Sequence, residues 1–197
     1  MPRIDALPRA DLGRFEDRFA LVEEVMGFVP SSLFTMARVP QLLETFSDFA
    51  GVVLGNGLIP RSLAQMVALA ASTAGGCRYC QAHTGHTAER VGVPAEKLAA
   101  IWTFETSDHF DQAERAALRI AFAGGSNPNE ATDEMFADAR RYYSDEQLAA
   151  IVSVIALFGY LNRWNDTIAT TLEAAPTEFG QRVLERHGWT AGKHASQ

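Results

Sequence analysis

Both cysteines of the chain, Cys77 and Cys80, and two of its five histidines, His83 and His86, fall in the ten-residue stretch Cys77-Arg78-Tyr79-Cys80-Gln81-Ala82-His83-Thr84-Gly85-His86. Thiols two residues apart lie on one side of a single helical turn and can close a disulfide. A helical run before the stretch breaks at Gly75-Gly76, and Thr87 to Val91 after it runs out to a glycine stop at Gly92. The dithiol is therefore expected at the first turn of a helix, where the helix N-terminus stabilises thiolate and lowers a cysteine pKa. His83 and Thr84 stand three and four residues after Cys80, on the same helix face. His83 can take the thiol proton directly or through a water. His86 lies six residues on and points elsewhere, which makes it a secondary candidate. A thiolate so placed can attack a peroxide oxygen to give a sulfenic acid, which the second thiol converts to a disulfide. A separate thiol reductant must then reopen it. The chemistry is thiol redox.

Blander uses of the same residues compete with this reading. The pair can be two small buried side chains, because free cysteine packs as a small hydrophobe. Zinc could be held by Cys77, Cys80 and one or both of His83 and His86, although no second Cys-x-x-Cys completes a closed site. The reading adopted has no resident metal and no cofactor. His109, His187 and His194 fall in loop or tail and are expected to be solvated. The polar group Asn162-Arg163-Trp164-Asn165-Asp166 follows a wholly apolar run. It can serve as a structural ion pair or carbonyl cap. In the functional version, Asn162 or Arg163 faces the dithiol and orients the histidine or the substrate. Trp102, Trp164 and Trp189 suit core or interface.

The whole chain sets limits. At 197 residues with 47% hydrophobic and 21% charged residues, it reads as one globular domain spanning 1–197. A net charge of −7 and no dense basic run argue against nucleic acid as a partner. Met1-Pro2-Arg3-Ile4-Asp5 lacks the apolar core of an export signal. The longest apolar stretch, Leu148 to Leu161, suits a buried helix better than a bilayer span. A cytoplasmic location with no membrane partner is the expectation, and there a Cys-x-x-Cys is more often catalytic or metal-binding than structural.

The elements that must position the dithiol all read as helices. Leu12, Phe15, Phe19, Val22 and Met26 form an apolar stripe over about 11–26. Ser31-Ser32 can cap a short helix to Ala37, and another runs from about Pro40 to Leu54. Pro60 stands at a first-turn position of a helix to about Ala74. Short helices follow over about 94–102 and 132–143, with a longer one from Asp111 to Gly124-Gly125. Ser144-Asp145-Glu146-Gln147 has the pattern of a capping box. The run it opens is the most apolar of all, ends at the polar group, and resumes over Thr167 to Leu172. A last helix covers Phe179 to His187 before a hydrophilic tail. No strand-type alternation is present. The fold class is all-α.

Cys77-x-x-Cys80 followed by His83, opening a helix in an all-α chain, resembles the carboxymuconolactone decarboxylase and alkylhydroperoxidase D-like superfamily. Gly27-Phe28-Val29-Pro30, the Ser32-Leu33-Phe34 after it, Arg38-Val39-Pro40 and Asn162-Arg163 are similar to its peroxidase-related branch. The likeness is strongest over 58–172, with 1–57 a helical N-terminal part packing on it. It implies a helical bundle with the Cys-x-x-Cys at the start of a core helix. It also implies homo-oligomers (trimers, or hexamers built of dimers) and reduction of small hydroperoxides in antioxidant defence. Cys80 would attack the peroxide, Cys77 would resolve it, and an unidentified thiol would recycle the pair. Well-studied peroxidases of the superfamily place a glutamate twelve residues before the first cysteine and a histidine four after the second. Here Gln65 and Thr84 occupy those places. His83 can replace the histidine, and Glu105, Glu44 or Asp48 could supply the carboxylate. The decarboxylase branch offers the alternative of a lyase acting on a small cyclic acid, with Arg163 on its carboxylate. A non-catalytic oligomer is the third reading.

Overall fold

The computed structural model describes residues 1–196, of which the helices make the whole regular framework: the structure is 69% helical and has no strand among the described residues. Two short 3-10 turns, Arg9–Asp11 and Gly13–Phe15, lead into α1 (Glu16–Met26). Gly27 ends α1 in the left-handed region, at φ 84°. Then come α2 (Ser31–Met36), α3 (Pro40–Gly55), α4 (Arg61–Ala74) and α5 (Arg78–Arg90). The second half holds α6 (Ala95–Ala99), α7 (Gln112–Gly125), α8 (Asp133–Ala139), α9 (Asp145–Ile168) and α10 (Ala174–Phe179), and closes with short turns.

The core is organised around α4, which packs on α5, α7 and α9. Met66 to Ala71 of α4 are all buried, and the alanines among them let neighbours approach closely. One such approach is at Gly125, where a Cβ would lie 2.8 Å from the Ala71 carbonyl oxygen. A second apolar cluster gathers Phe15, Phe19, Leu33, Met36 and Leu43 from the N-terminal segments. Phe46 and Leu161 touch both clusters. At 24 residues α9 is long and apolar enough to cross a bilayer, yet Ile151, Val154, Ile155 and Leu157 pack inside the core.

The expected capping box at Ser144 and Gln147 is formed, and Asp111 with Glu114 makes a second one. Three expectations need correction. Ser31 and Ser32 do not cap α2 with their side chains; Pro30 is its N-cap. The polar group does not interrupt the long helix: α9 runs through it to Ile168 and stops at Ala169, which is left-handed at φ 58°. The tail is not a free hydrophilic end. The Leu172 amide donates to the His194 carbonyl at 2.8 Å, and Trp189 and His194 are each 1% exposed. Gly180 makes room for this, because a Cβ there would sit 2.4 Å from the Trp189 ring.

Two glycine-to-alanine changes should move stability in opposite directions. Gly51 in α3 has open space at its Cβ position, so Gly51→Ala is expected to stabilise by up to about 1 kcal/mol. Gly125→Ala meets the backbone of α4, which no side-chain rotation relieves, and is expected to cost about 1–3 kcal/mol. Urea unfolding of both variants checks the signs.

Candidate active site

The chain leaves α4 through Gly76, which is left-handed at φ 71°, and the Cys77 amide donates back to the Ser72 carbonyl at 3.2 Å. This reversal makes Cys77 the N-cap of α5. Its Sγ accepts the Cys80 amide at 3.3 Å, as a serine or aspartate oxygen would in the same place. Both thiols are free, with Cys77 fully buried and Cys80 2% exposed. The Cys80 Sγ accepts from the Asn165 amide Nδ2 at 3.6 Å. Burial pushes the Cys80 thiol well above its ordinary pKa; the neighbouring Cys77 adds to this and the Asn165 amide opposes it. For Cys80 the expected lowering by the helix N-terminus is therefore overturned.

His83 lies one turn further on and is buried. It stacks on Tyr79 at 4.1 Å between ring centroids and receives the edge of Phe28 at 5.2 Å. Its Nε2 meets Glu173 Oε2 at 2.6 Å, and among the described residues it makes no hydrogen bond to a sulfur. Glu173 Oε1 also accepts from the Tyr79 hydroxyl at 3.1 Å and from the Ser31 amide, so one carboxylate joins α2, α5 and the start of α10. Burial pushes the Glu173 carboxyl up, but His83 and Ser31 outweigh it and bring it down to about 2. The three carboxylates considered from sequence are engaged elsewhere: Glu105 with Arg119, Glu44 with Arg14 and Asp48 with Arg18. Glu173 lies 90 residues from His83 in sequence, and no local pattern links them.

The remaining candidates fall in several places. Gln65 is half-buried on α4. The Thr84 hydroxyl donates to the Cys80 carbonyl at 2.8 Å. His86 Nε2 bonds the Met26 carbonyl at 3.2 Å, and burial lowers the pKa of its ring. Beside it, the Arg90 guanidinium donates to the Val25 and Glu24 carbonyls, holding the end of α1 and Phe28 against α5. Asn162 Nδ2 donates to the Ala71 carbonyl at 3.3 Å. Arg163 donates to the Gly159 carbonyl and lines a largely apolar groove of about 720 Å³ among α7, α8 and α9, to which neither cysteine contributes. The member of the polar group that meets the dithiol is Asn165. A smaller cleft of about 210 Å³ lies beside the cysteine turn, between Gly76, Arg78, Gln81, Trp102 and His187.

The donor set weighed for zinc does not converge, since His83 and His86 are held by Glu173 and Met26. A different set does: the Cys77 Sγ, a carboxylate oxygen of Asp166 and a ring nitrogen of His194 all lie within 4.8 Å of one another. His194 is thus no solvated tail residue. Its position depends on the chain folding back after Trp189, and no sequence signal marked it.

Glu173 has a pH signature. A carboxyl depressed from 4.5 to about 2 contributes stability that is fully present above about pH 4.5 and is lost as pH falls toward 2. Glu173→Gln should remove most of this acid limb and cost about 1–3 kcal/mol at pH 7, read from urea unfolding at pH 7 and pH 3.

Comparison with known proteins agrees with this architecture. A family model described as the carboxymuconolactone decarboxylase family matches residues 40–123. No curated protein matches the sequence. Among solved structures, a cysteine-to-alanine variant of the debrominase Bmp8 in complex with 2,3,4-tribromopyrrole is 36% identical, with a TM-score of 0.87. The match covers 91% of this chain and 96% of that one. A peroxidase-related protein from Ralstonia eutropha JMP134, described as an alkylhydroperoxidase AhpD core, is 23% identical with a TM-score of 0.72, covering 88% of each chain. Another from Silicibacter sp. TM1040 is 20% identical with a TM-score of 0.74, covering 88% of this chain and 90% of that one. The last two show the shared fold. With a family model across α3 to α7 and a 36% identical relative along nearly its whole length, the chain belongs to the carboxymuconolactone decarboxylase family.

Proposed function

We propose that this protein is a dithiol oxidoreductase that reduces small hydroperoxides. The observation that carries the reading is the pair of reduced thiols on one turn at the start of α5, with Asn165 on Cys80 and His83–Glu173 one turn further on. Cys80 attacks the distal peroxide oxygen. The O–O bond breaks, the alcohol leaves with a proton, and a sulfenic acid remains on Cys80. Cys77 then attacks that sulfur, forming the disulfide and releasing water. An external thiol returns the pair to the reduced state. His83 and Glu173 form a buried proton-handling pair beside the reaction. A cytoplasmic setting, where thiols are kept reduced, and assembly into a homo-oligomer complete the proposal.

A second reading draws on the likeness to the debrominase Bmp8. A thiolate can take bromine from an electron-rich bromoaromatic ring, leaving a carbanion that accepts a proton. Cys77 then displaces bromide from the Cys80 sulfur and the same disulfide forms. Both readings use one dithiol and differ in the electrophilic atom.

Intact mass and thiol counting after one equivalent of cumene hydroperoxide, or of a tribromopyrrole, test both. The expected result is rapid loss of both thiols as a Cys77–Cys80 disulfide. Cys80→Ser should slow consumption at least about 100-fold, and Cys77→Ser should stop at a trappable Cys80 intermediate. Full turnover in Cys80→Ser would overturn the proposal. Turnover surviving loss of both cysteines would favour a lyase, and inert thiols a non-catalytic oligomer.

A further inference from the structure

We infer that His194, reached by the folding back of the C-terminal segment, is the general base for Cys77, with Asp166 supporting the imidazolium, so that Cys77, His194 and Asp166 act as a triad for the resolving thiol. The use in disulfide formation rests on the function proposed above; the triad itself rests on geometry.

The tautomer is fixed by a neighbour. His194 Nδ1 lies 2.8 Å from the Thr170 carbonyl, an acceptor only, so Nδ1 carries the hydrogen, and in the neutral ring Nε2 carries a lone pair. That Nε2 is buried without a hydrogen-bond partner, in a residue 1% exposed. An unsatisfied buried acceptor is costly unless something donates to it. An Asp166 oxygen lies 3.6 Å from it, and the Cys77 sulfur, an Asp166 carboxylate oxygen and a ring nitrogen of His194 all lie within 4.8 Å of one another. Of these three groups, the one with a proton to give is the Cys77 thiol. The other charged or titratable groups facing the ring are Lys193, whose Nζ holds Asp166 Oδ2 at 2.7 Å, and Tyr79, 5.8 Å away between ring centroids. His83 is committed to Glu173 and makes no hydrogen bond to a sulfur among the described residues, which leaves it apart from Cys77.

In the resolving step the proton passes from Cys77 Sγ to His194 Nε2. The thiolate attacks the Cys80 sulfur of the sulfenic acid, the S–S bond forms as the S–O bond breaks, and the departing hydroxide takes the proton from the imidazolium as water. Asp166 Oδ1, 3.6 Å from the same nitrogen, offsets the positive charge held by the ring in between.

The test isolates Cys77 in the Cys80→Ser background and follows its alkylation by iodoacetamide against pH, using mass. Adding His194→Gln should slow alkylation at pH 7 by about tenfold or more and leave a profile set by the thiol alone. Adding Asp166→Asn, whose side chain is 43% exposed and tolerant of change, should slow it by about threefold. Unchanged rates and profiles in both would overturn the inference. So would one equivalent of zinc retained by the reduced protein and lost in His194→Gln, since Nε2 would then be committed to a metal. If alkylation depends on His194 while Cys80→Ser keeps full peroxide turnover, the triad stands and the proposed function falls.

Discussion

The carboxylate of Glu173 is the interaction on which the site depends. It is mostly buried, and it remains ionised because a ring nitrogen, a phenol and a backbone amide converge on it from α5 and α2. Removing one partner of a buried, hydrogen-bonded charge leaves the other uncompensated, which typically costs several kcal/mol. The single group therefore fixes the His83 ring, the Tyr79 hydroxyl beneath it and the first turn of α2 at once. Phe28 then closes over the histidine from the loop before α2. The N-terminal segments become part of the site rather than an appendage.

Two opposing effects meet at the dithiol. A helix N-terminus favours an anion by about 0.3–1 kcal/mol at most positions, less than one pKa unit. Full burial disfavours it by up to 3–5 units. For Cys80, 2% exposed, burial wins, and the Asn165 amide recovers only part of the difference. A sulfur kept as a thiol at rest is protected from indiscriminate oxidation, and it becomes reactive when a partner removes its proton. The imidazole of His194 lies within 4.8 Å of the Cys77 sulfur, where such a partner is needed. It also gives the folded-back tail a reason to be tightly packed.

Much of the scaffold was legible because its causes are local. The stripe Leu12, Phe15, Phe19, the capping box at Ser144 and Gln147, and the glycines after α4 and α5 each act within a few residues. The observed helices begin and end close to the places they mark. The break expected at Asn162 to Asp166 failed for a physical reason: polar residues inside a helix do not end it when their side chains find partners across the core. Asn162 and Asn165 find theirs on the Ala71 carbonyl and the Cys80 sulfur. The hydrophilic reading of the tail failed likewise, because Trp189 outweighs its polar neighbours by filling the space above Gly180.

The sequence by itself determined an all-helical chain with a dithiol on one turn at a helix start and a histidine one turn further in. Those facts depend on residue type and spacing along a single helix. Which carboxylate serves His83, which amide touches Cys80, and that a His194 nitrogen comes within 4.8 Å of the Cys77 sulfur were decided by the tertiary structure alone. Each joins residues 85 or more positions apart, as His83 to Glu173 and Cys80 to Asn165 do. Such pairs form because a buried charge or polar atom must be satisfied by whatever group the packing of apolar helix faces brings within reach.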